Sequence, residues 1–145
     1  MLWVLVSGCV TTPSQPSVDF VLELPQGVPG TPNVLSIVDE AGIVRSVDLG
    51  TDDLVDGNTS IAIARPAGAS SSVQVEWLGL MCESQPVLFV ERTNNDRLAI
   101  RLDHGPSPDS CAAAGIDYRI VLHLDRPVPA EAIEATETSP SPPAD

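Results

Sequence analysis

Few side chains in this sequence could perform acid–base or nucleophilic chemistry. The chain has two histidines, His104 and His123. His104 follows Asp103 and precedes Ser107, but no G-x-S-x-G turn is present to expose a serine nucleophile. His123 falls in an alternating segment, where we expect it on the solvent face of a strand. We therefore predict no catalytic residues and a protein that is not an enzyme, with a hydrolase as a disfavoured alternative.

An acidic loop at residues 50–60 is the one segment that resembles a calcium loop. Asp52 and the pair Asp56-Gly57 match the first position, the fifth position and the glycine of the EF-hand pattern. Leu54 stands at the third position, and Ile63 replaces the bidentate glutamate. We predict no metal site and no cofactor, and interpret the segment as a solvated loop.

The basic residues are scarce, and every one of them is arginine. Seven arginines face 20 acidic residues, for a net charge of −13. A field of that sign repels phosphate backbones, so we exclude nucleic acid as a partner. Arg97, Arg101 and Arg119 are the candidates for a ligand patch on one outer sheet face. The favoured interpretation is that these arginines pair within the chain, with Glu76, Glu91 and Asp125.

The N-terminal residues 1–10 read MLWVLVSGCV, in which an aliphatic residue and two small ones precede Cys9. This segment resembles the lipobox of bacterial lipoproteins. The resemblance implies that residues 1–8 are part of a signal peptide, that Cys9 is lipidated, and that residues 9–17 form a flexible tether. The apolar run is short and no basic residue precedes it, so an ordinary apolar strand is the alternative. The predicted location is the extracytoplasmic face of the cell membrane, or else secretion.

With Cys9 assigned to a lipid, Cys82 and Cys111 form an even pair in an exported chain. Such a pair in an oxidising compartment predicts a disulfide. The bond would close a loop of about thirty residues and contribute roughly 3–4 kcal/mol. A metal pair or a redox thiol is the alternative.

Short segments with a period of two predict the strands that position these residues. We expect strands at 18–24 and 60–65, a hairpin from 34–38 to 43–49, a strand from residue 73 with Trp77 facing inward, and a hairpin of 87–92 with 97–102. The last strand buries Tyr118, Ile120, Leu122 and Leu124.

Seven or eight short strands without a convincing helix predict an all-β protein. The favoured architecture is an antiparallel β-sandwich of Greek-key, immunoglobulin-like type, and the alternative is a small closed β-barrel. We predict a single domain over residues 18–128. Residues 129–145 are predicted to be a disordered acidic tail rich in serine and proline, with at most a helical turn or two at 130–136.

The C-terminal part of the chain, chiefly its last third, has Cys82 before a strand, Cys111 after a loop, and a closing strand, VLHLDRP, at 121–127. This arrangement resembles uncharacterised secreted or lipid-anchored β-domain proteins of high-GC bacteria, chiefly actinobacteria. The resemblance implies export and a disulfide-linked β domain. We predict a non-catalytic envelope module that binds an envelope protein or ligand; a structural or accessory domain without a ligand is the alternative.

Overall fold

The computed structural model describes residues 17–25, 33–51, 61–64, 69–80, 85–105 and 115–138. These segments hold nine strands and one 3-10 turn, at Ala130–Ala132. The strands are β1 Ser17–Leu24, β2 Asn33–Asp39, β3 Val44–Leu49, β4 Ile61–Ala64, β5 Ala69–Leu80, β6 Val87–Arg92, β7 Leu98–Asp103, β8 Gly115–Pro129 and β9 Ile133–Thr138.

The strands form two sheets that pack face to face. One sheet has five strands in the order β1-β2-β6-β7-β9, and the other has four in the order β3-β8-β5-β4. The prediction of an all-β sandwich is confirmed, and the barrel alternative is wrong for the described strands. The sheets are not purely antiparallel, because β2–β6 and β7–β9 are parallel pairs. The strand order also differs from the immunoglobulin arrangement of strands 1-2-5-4 and 3-6-7.

Alternating apolar residues of both sheets form one core. Tyr118, Ile120, Leu122 and Leu124 are buried as predicted, and Trp77 is only 1% exposed. The Trp77 and Tyr118 rings lie 5.5 Å apart. Asn33 of the facing sheet donates from Nδ2 to the Tyr118 hydroxyl at 2.8 Å, so the buried phenol is satisfied across the sandwich.

The predicted hairpin of β2 with β3 is wrong, although the turn between them is in the predicted place. β2 pairs with β1 and β6, whereas β3 pairs with β8 in the other sheet. The Val44 amide donates to Asp39 Oδ2 at 2.8 Å, and the Ile43 amide donates to the Glu40 carbonyl at 3.1 Å. These bonds close a corner through which the chain crosses from one sheet to the other.

The hairpin of β6 and β7 is confirmed, with all six residues of each strand in register. The Thr93 amide donates to the Arg97 carbonyl, and the Asp96 amide donates to the Thr93 carbonyl, both at 2.9 Å. Asp96 has a φ of 57°, a left-handed conformation that aspartate tolerates better than most residues. The polar turn therefore has the chemistry that its sequence indicates.

The domain extends past residue 128, so the predicted start of a disordered tail is wrong. Residues Ile133–Thr138 form β9, which pairs in parallel with β7 at the edge of the five-stranded sheet. Ile133 is 4% exposed and joins the core, opposite Leu98. Residues 139–145 lie outside the described residues.

Candidate functional surfaces

The three candidate arginines for a ligand patch on one face lie on different sheets. Arg101 is on β7 of the five-stranded sheet, and Arg97 immediately precedes that strand. Arg119 is on β8 of the four-stranded sheet. The outer faces of the two sheets point in opposite directions, so a single patch of Arg97, Arg101 and Arg119 is wrong. The error arose because strand alternation gives the side of a residue within one sheet but not which sheet the strand joins.

Each of these three arginines instead has a carboxylate partner. Arg119 Nε lies 3.0 Å from Glu76 Oε2, which confirms one of the pairings of the favoured interpretation. Arg101 Nε lies 3.0 Å from Asp103 Oδ1, and Arg97 pairs with Glu134 of β9. Ion pairs at a protein surface contribute only about 0–1 kcal/mol each to folding stability, so these pairs fix the positions of the charged groups and add little to the stability of the fold.

The outer face of the five-stranded sheet is a mixed apolar and cationic surface, which we call the Phe89 face. Register fixes its composition, because Phe89 lies between Val38 and Arg101, and Val87 lies opposite Ser36. Val21 of β1 is 65% exposed. The apolar members of the face are Val21, Val34, Val87 and Phe89, with Val38 only 6% exposed, and its polar members are Glu23, Ser36, Glu91, Arg101 and Asp103.

Arg101 covers the Phe89 ring rather than extending freely into solvent. Its guanidinium carbon lies 4.2 Å from the ring centroid, a cation–π geometry, while Nε contacts Asp103. The stack leaves a charged group at the surface above an apolar strip. A surface of this kind is suited to a partner that buries apolar area and also offers an acceptor to arginine.

The outer face of the four-stranded sheet carries a chain of polar side chains from three adjacent strands, which we call the His123 face. Ser72 of β5 lies opposite His123 of β8, and Asp48 of β3, on the other side of β8, lies opposite Val121. Ser72 Oγ is 3.3 Å from His123 Nδ1, and His123 Nε2 is 2.8 Å from Asp48 Oδ2. Serine, imidazole and carboxylate are therefore connected in one line.

Below this line, Arg119 and Glu76 pair across β8 and β5 in register. The Gly50 amide donates to the Arg119 carbonyl at 3.2 Å. A Cβ on Gly50 would approach Arg119 Cγ to 2.8 Å, so the arginine stem lies directly against the glycine. The absent side chain at Gly50 allows the guanidinium to lie along the sheet toward Glu76.

The sequence placed His123 correctly on a solvent face but did not reveal its partners. Ser72 and Asp48 are 51 and 75 positions away along the chain. Their meeting depends on the register of β3, β8 and β5, which no local pattern encodes. The only available signal was the alternation that put His123 on an outward position of its strand.

The other histidine, His104, belongs to the Asp103–His104–Ser107 combination that the sequence offers, and its own contacts are with β9. Its Nε2 pairs with Glu137 of β9, and its amide donates to the Thr138 carbonyl at 3.3 Å. Ser107 lies outside the described residues. Within those residues, no group of three or more histidine, cysteine or acidic side chains is arranged to hold a metal ion.

Arg92 joins the two sheets at one end of the sandwich. Its side chain is 7% exposed, and Nη2 donates to Asp125 Oδ1 at 3.1 Å and to the Arg126 carbonyl at 2.7 Å. Burial by itself raises the pKa of Asp125. The hydrogen bond and charge of Arg92, with smaller contributions from Arg126, outweigh that effect and hold the pKa below its ordinary value.

The predicted lipidation site and cysteine pair lie outside the described residues. This holds for Cys9 with the rest of residues 1–16, for Cys82, and for Cys111. The acidic loop with Asp52 and Asp56 is also outside them. No helix in the described segments is long and apolar enough to cross a membrane.

Comparison with known proteins returned no relatives. No family model, no curated protein and no solved structure matches this chain. The functional argument therefore depends on the chemistry of the two outer faces.

Proposed function

We propose that the protein is an extracytoplasmic, lipid-anchored β-sandwich that binds another component of the cell envelope through the Phe89 face. The observation that carries this proposal is the Arg101–Phe89 stack within a strip of outward valines. The face also carries Glu23, Glu91 and Asp103, and outward apolar residues grouped beside a shielded cation among such charges favour a binding surface with an apolar centre and a polar rim. A purely accessory domain has no need of them.

The lipid anchor is supported by the lipobox-like residues 6–9 and by the position of the first strand. β1 begins at Ser17, so seven residues, 10–16, separate Cys9 from the strand. A polar, proline-rich segment of that length can hold a folded domain close to a membrane without joining its sheet. Mass spectrometry of the mature N-terminus tests the anchor: a diacylglyceryl group on Cys9 supports it, and an unmodified Met1 refutes it.

A disulfide between Cys82 and Cys111 belongs to the same proposal. β5 and β8 pair Leu80 with Gly115 at their shared end. Cys82 follows Leu80 by two residues and Cys111 precedes Gly115 by four, so each cysteine lies within a few residues along the chain of one member of this cross-strand pair. Peptide mapping without reductant is expected to find the linked pair, whereas two free thiols in protein from the envelope would refute it.

The binding role is tested by comparing complexes formed in the cells that make the protein. Envelope extracted in mild detergent is separated by native electrophoresis, and the protein is detected through a small C-terminal tag. We expect the unaltered protein in a complex larger than itself and the F89A/R101A double variant mostly free. The matched control, S46A, alters the opposite outer face and is expected to leave the complex intact.

Two results would contradict the binding role. One is migration of the unaltered protein at its own size in every extract. The other is equal loss of the complex in the double variant and in S46A, since that would show no preference for the Phe89 face. Thermal unfolding of each purified variant establishes that the substitutions leave the sandwich folded.

A further inference from the structure

The Ser72–His123–Asp48 line on the His123 face has the connectivity of a nucleophile, a base and a group that orients the base. Asp48 can only accept hydrogen bonds when ionised, so the 2.8 Å contact requires a proton on His123 Nε2. A neutral ring then has an unprotonated Nδ1, which accepts from the Ser72 hydroxyl. The two ring nitrogens are used in the opposite order from the serine proteases, but the proton can move along the same path.

Ser46 and Ser72 both follow an irregularity in the pairing of their strands with β8, and it is Ser72 whose hydroxyl contacts His123. Ser72 and Ser46 flank His123 on its two sides in register. Ser70 Oγ accepts from the Ser72 amide and donates to the Ser72 carbonyl, both at 3.0 Å. These two bonds fix the peptide units of Ser72 at an irregularity in β5, a feature that often aims a side chain at a functional site.

The ladder between β5 and β8 opens beside this residue. Ser70 pairs with Val128 and Ser72 pairs with His123, so β5 advances by two residues where β8 advances by five. The Asp125 amide in this stretch donates to the Ile43 carbonyl at 2.7 Å, outside the β5 ladder. Residues 124–127 therefore leave β5, and the sheet is interrupted directly next to the serine.

We propose that Ser72 is a nucleophile activated by His123 and that it takes an acyl group from activated esters, with Asp48 as a positioning residue. Ser72 Oγ bonds to the carbonyl carbon while its proton moves to His123 Nδ1. The bond from that carbon to the leaving oxygen then breaks, and the leaving oxygen takes the proton. Water next attacks the acyl-serine, giving up a proton through the same imidazole, and releases a carboxylic acid and the free hydroxyl.

The exposure of the site limits its substrates to acyl groups that can approach a flat surface. The His123 side chain is 37% exposed and that of Asp48 is 71% exposed. A small ester with a good leaving group meets this requirement, because it needs no enclosing pocket. The proposal is independent of the binding role of the Phe89 face, which lies on the other sheet.

The test uses p-nitrophenyl acetate with the full chain and measures initial release of nitrophenolate. General-base assistance contributes about 10²–10⁴-fold. We therefore expect S72A and H123Q each to lose at least about 10-fold of the rate above buffer. D48N is expected to lose part of the rate, and D48E to recover most of it, as a positioning role predicts. S46A alters the other serine beside His123 and is expected to leave the rate unchanged.

A second measurement does not depend on the folding of any variant. The unaltered protein is treated with a fluorophosphonate, digested and mapped, and the adduct is expected on the peptide that contains Ser72. Absence of that adduct overturns the proposal. The proposal is also overturned if the S72A variant keeps its esterase rate while the H123Q variant loses it. The latter result would make the imidazole itself the nucleophile and the serine contact a cross-strand hydrogen bond only.

Discussion

The two outer faces of the sandwich cover the same core but present opposite chemistry. On the Phe89 face, outward positions of β1, β2 and β6 carry valine and phenylalanine beside Glu23, Ser36 and Glu91, and the cation lies over an aromatic ring. On the His123 face, the outward positions carry serine, histidine, aspartate, glutamate and arginine that bond to one another across three strands. The difference does not arise from the inner faces, which both bury branched aliphatic residues.

This contrast indicates different uses for the two faces. Side chains that satisfy one another across strands have little left to offer a large partner, although a line of exchangeable protons can act on a small molecule. Outward apolar groups, by comparison, gain most from being covered by another surface. These are the grounds on which we propose binding for the five-stranded sheet and proton transfer for the four-stranded one.

The largest effect is expected from a change to the shared core. Trp77→Ala removes an indole that is 1% exposed and packs on Tyr118, so the free energy of unfolding should fall by about 3–5 kcal/mol. Urea unfolding measures it, with probes on each sheet. Both sheets should unfold together. The control variant Leu78→Ala, at the adjacent exposed residue, should lower the free energy of unfolding by less than about 1 kcal/mol. Separate transitions for the two sheets would show that the faces do not share one cooperative core.

The next largest effect tests whether β9 belongs to the Phe89 side of the sandwich. Ile133→Ala should lower the free energy of unfolding by about 2–4 kcal/mol, because Ile133 packs in the core beside Leu98. Glu131→Ala, on an exposed residue of the preceding turn, is the control and should be nearly neutral. Equal, small effects from both would mean that β9 does not add to the stability of the sheet.

A smaller effect is expected where the two sheets are joined by Arg92. Arg92→Ala removes charged hydrogen bonds to Asp125 and to a carbonyl, and should cost about 1–3 kcal/mol at neutral pH. The pKa of Asp125 is lowered in the folded state. Ionised Asp125 therefore stabilises the fold fully at pH values above its pKa in the unfolded chain, and this stabilisation is lost as the pH falls through its pKa in the folded protein.

The stability of the unaltered protein should therefore decline in acid more steeply than that of the Arg92→Ala variant. Unfolding measured between neutral pH and pH about 3 tests this difference. Arg126→Ala is the control, since its side chain is 61% exposed and lies farther from Asp125, at 3.6 Å. If the free energy of unfolding of both variants declined in acid as steeply as that of the unaltered protein, Arg92 would not be the source of the pH dependence.

The smallest stability effects are expected from the faces themselves. Arg101→Ala should cost about 0.5–1 kcal/mol through loss of the stack on Phe89, and Asp48→Asn should cost about 0–1 kcal/mol. Thermal unfolding measures both variants side by side. A loss above about 2 kcal/mol in either would indicate a structural role that exposed pairs do not have, and would weaken the assignment of function to that face.

The sequence predicted the elements whose signal is local. Alternation located the buried sides of β4, β7 and β8, and the polar turn at 93–96 located a hairpin. The turn after Asp39 was also visible, but a turn looks the same whether the chain returns within a sheet or crosses to the other one. β9 was missed because Ile133 is its only large apolar residue, among alanine, threonine and glutamate.

The candidate sites depended on information that is not local. Arg101 was identified as exposed, but its stack on Phe89 required the β6–β7 register. Ser72 lies in a serine-rich run that suggests a linker, and only the alignment of three strands brings it to His123. Outward positions can thus be predicted from alternation, whereas the sheet that a strand joins and the partners across strands cannot.

The most direct test of the contrast between the faces is site-specific photo-crosslinking in the cells that make the protein. A photoreactive residue replaces Val34 on the Phe89 face or, in a matched variant, Val121 on the His123 face; both valines are partly buried outward residues. The account predicts one discrete adduct from position 34 and none from position 121. Equal adducts from both positions, or an adduct from position 121 alone, would contradict it.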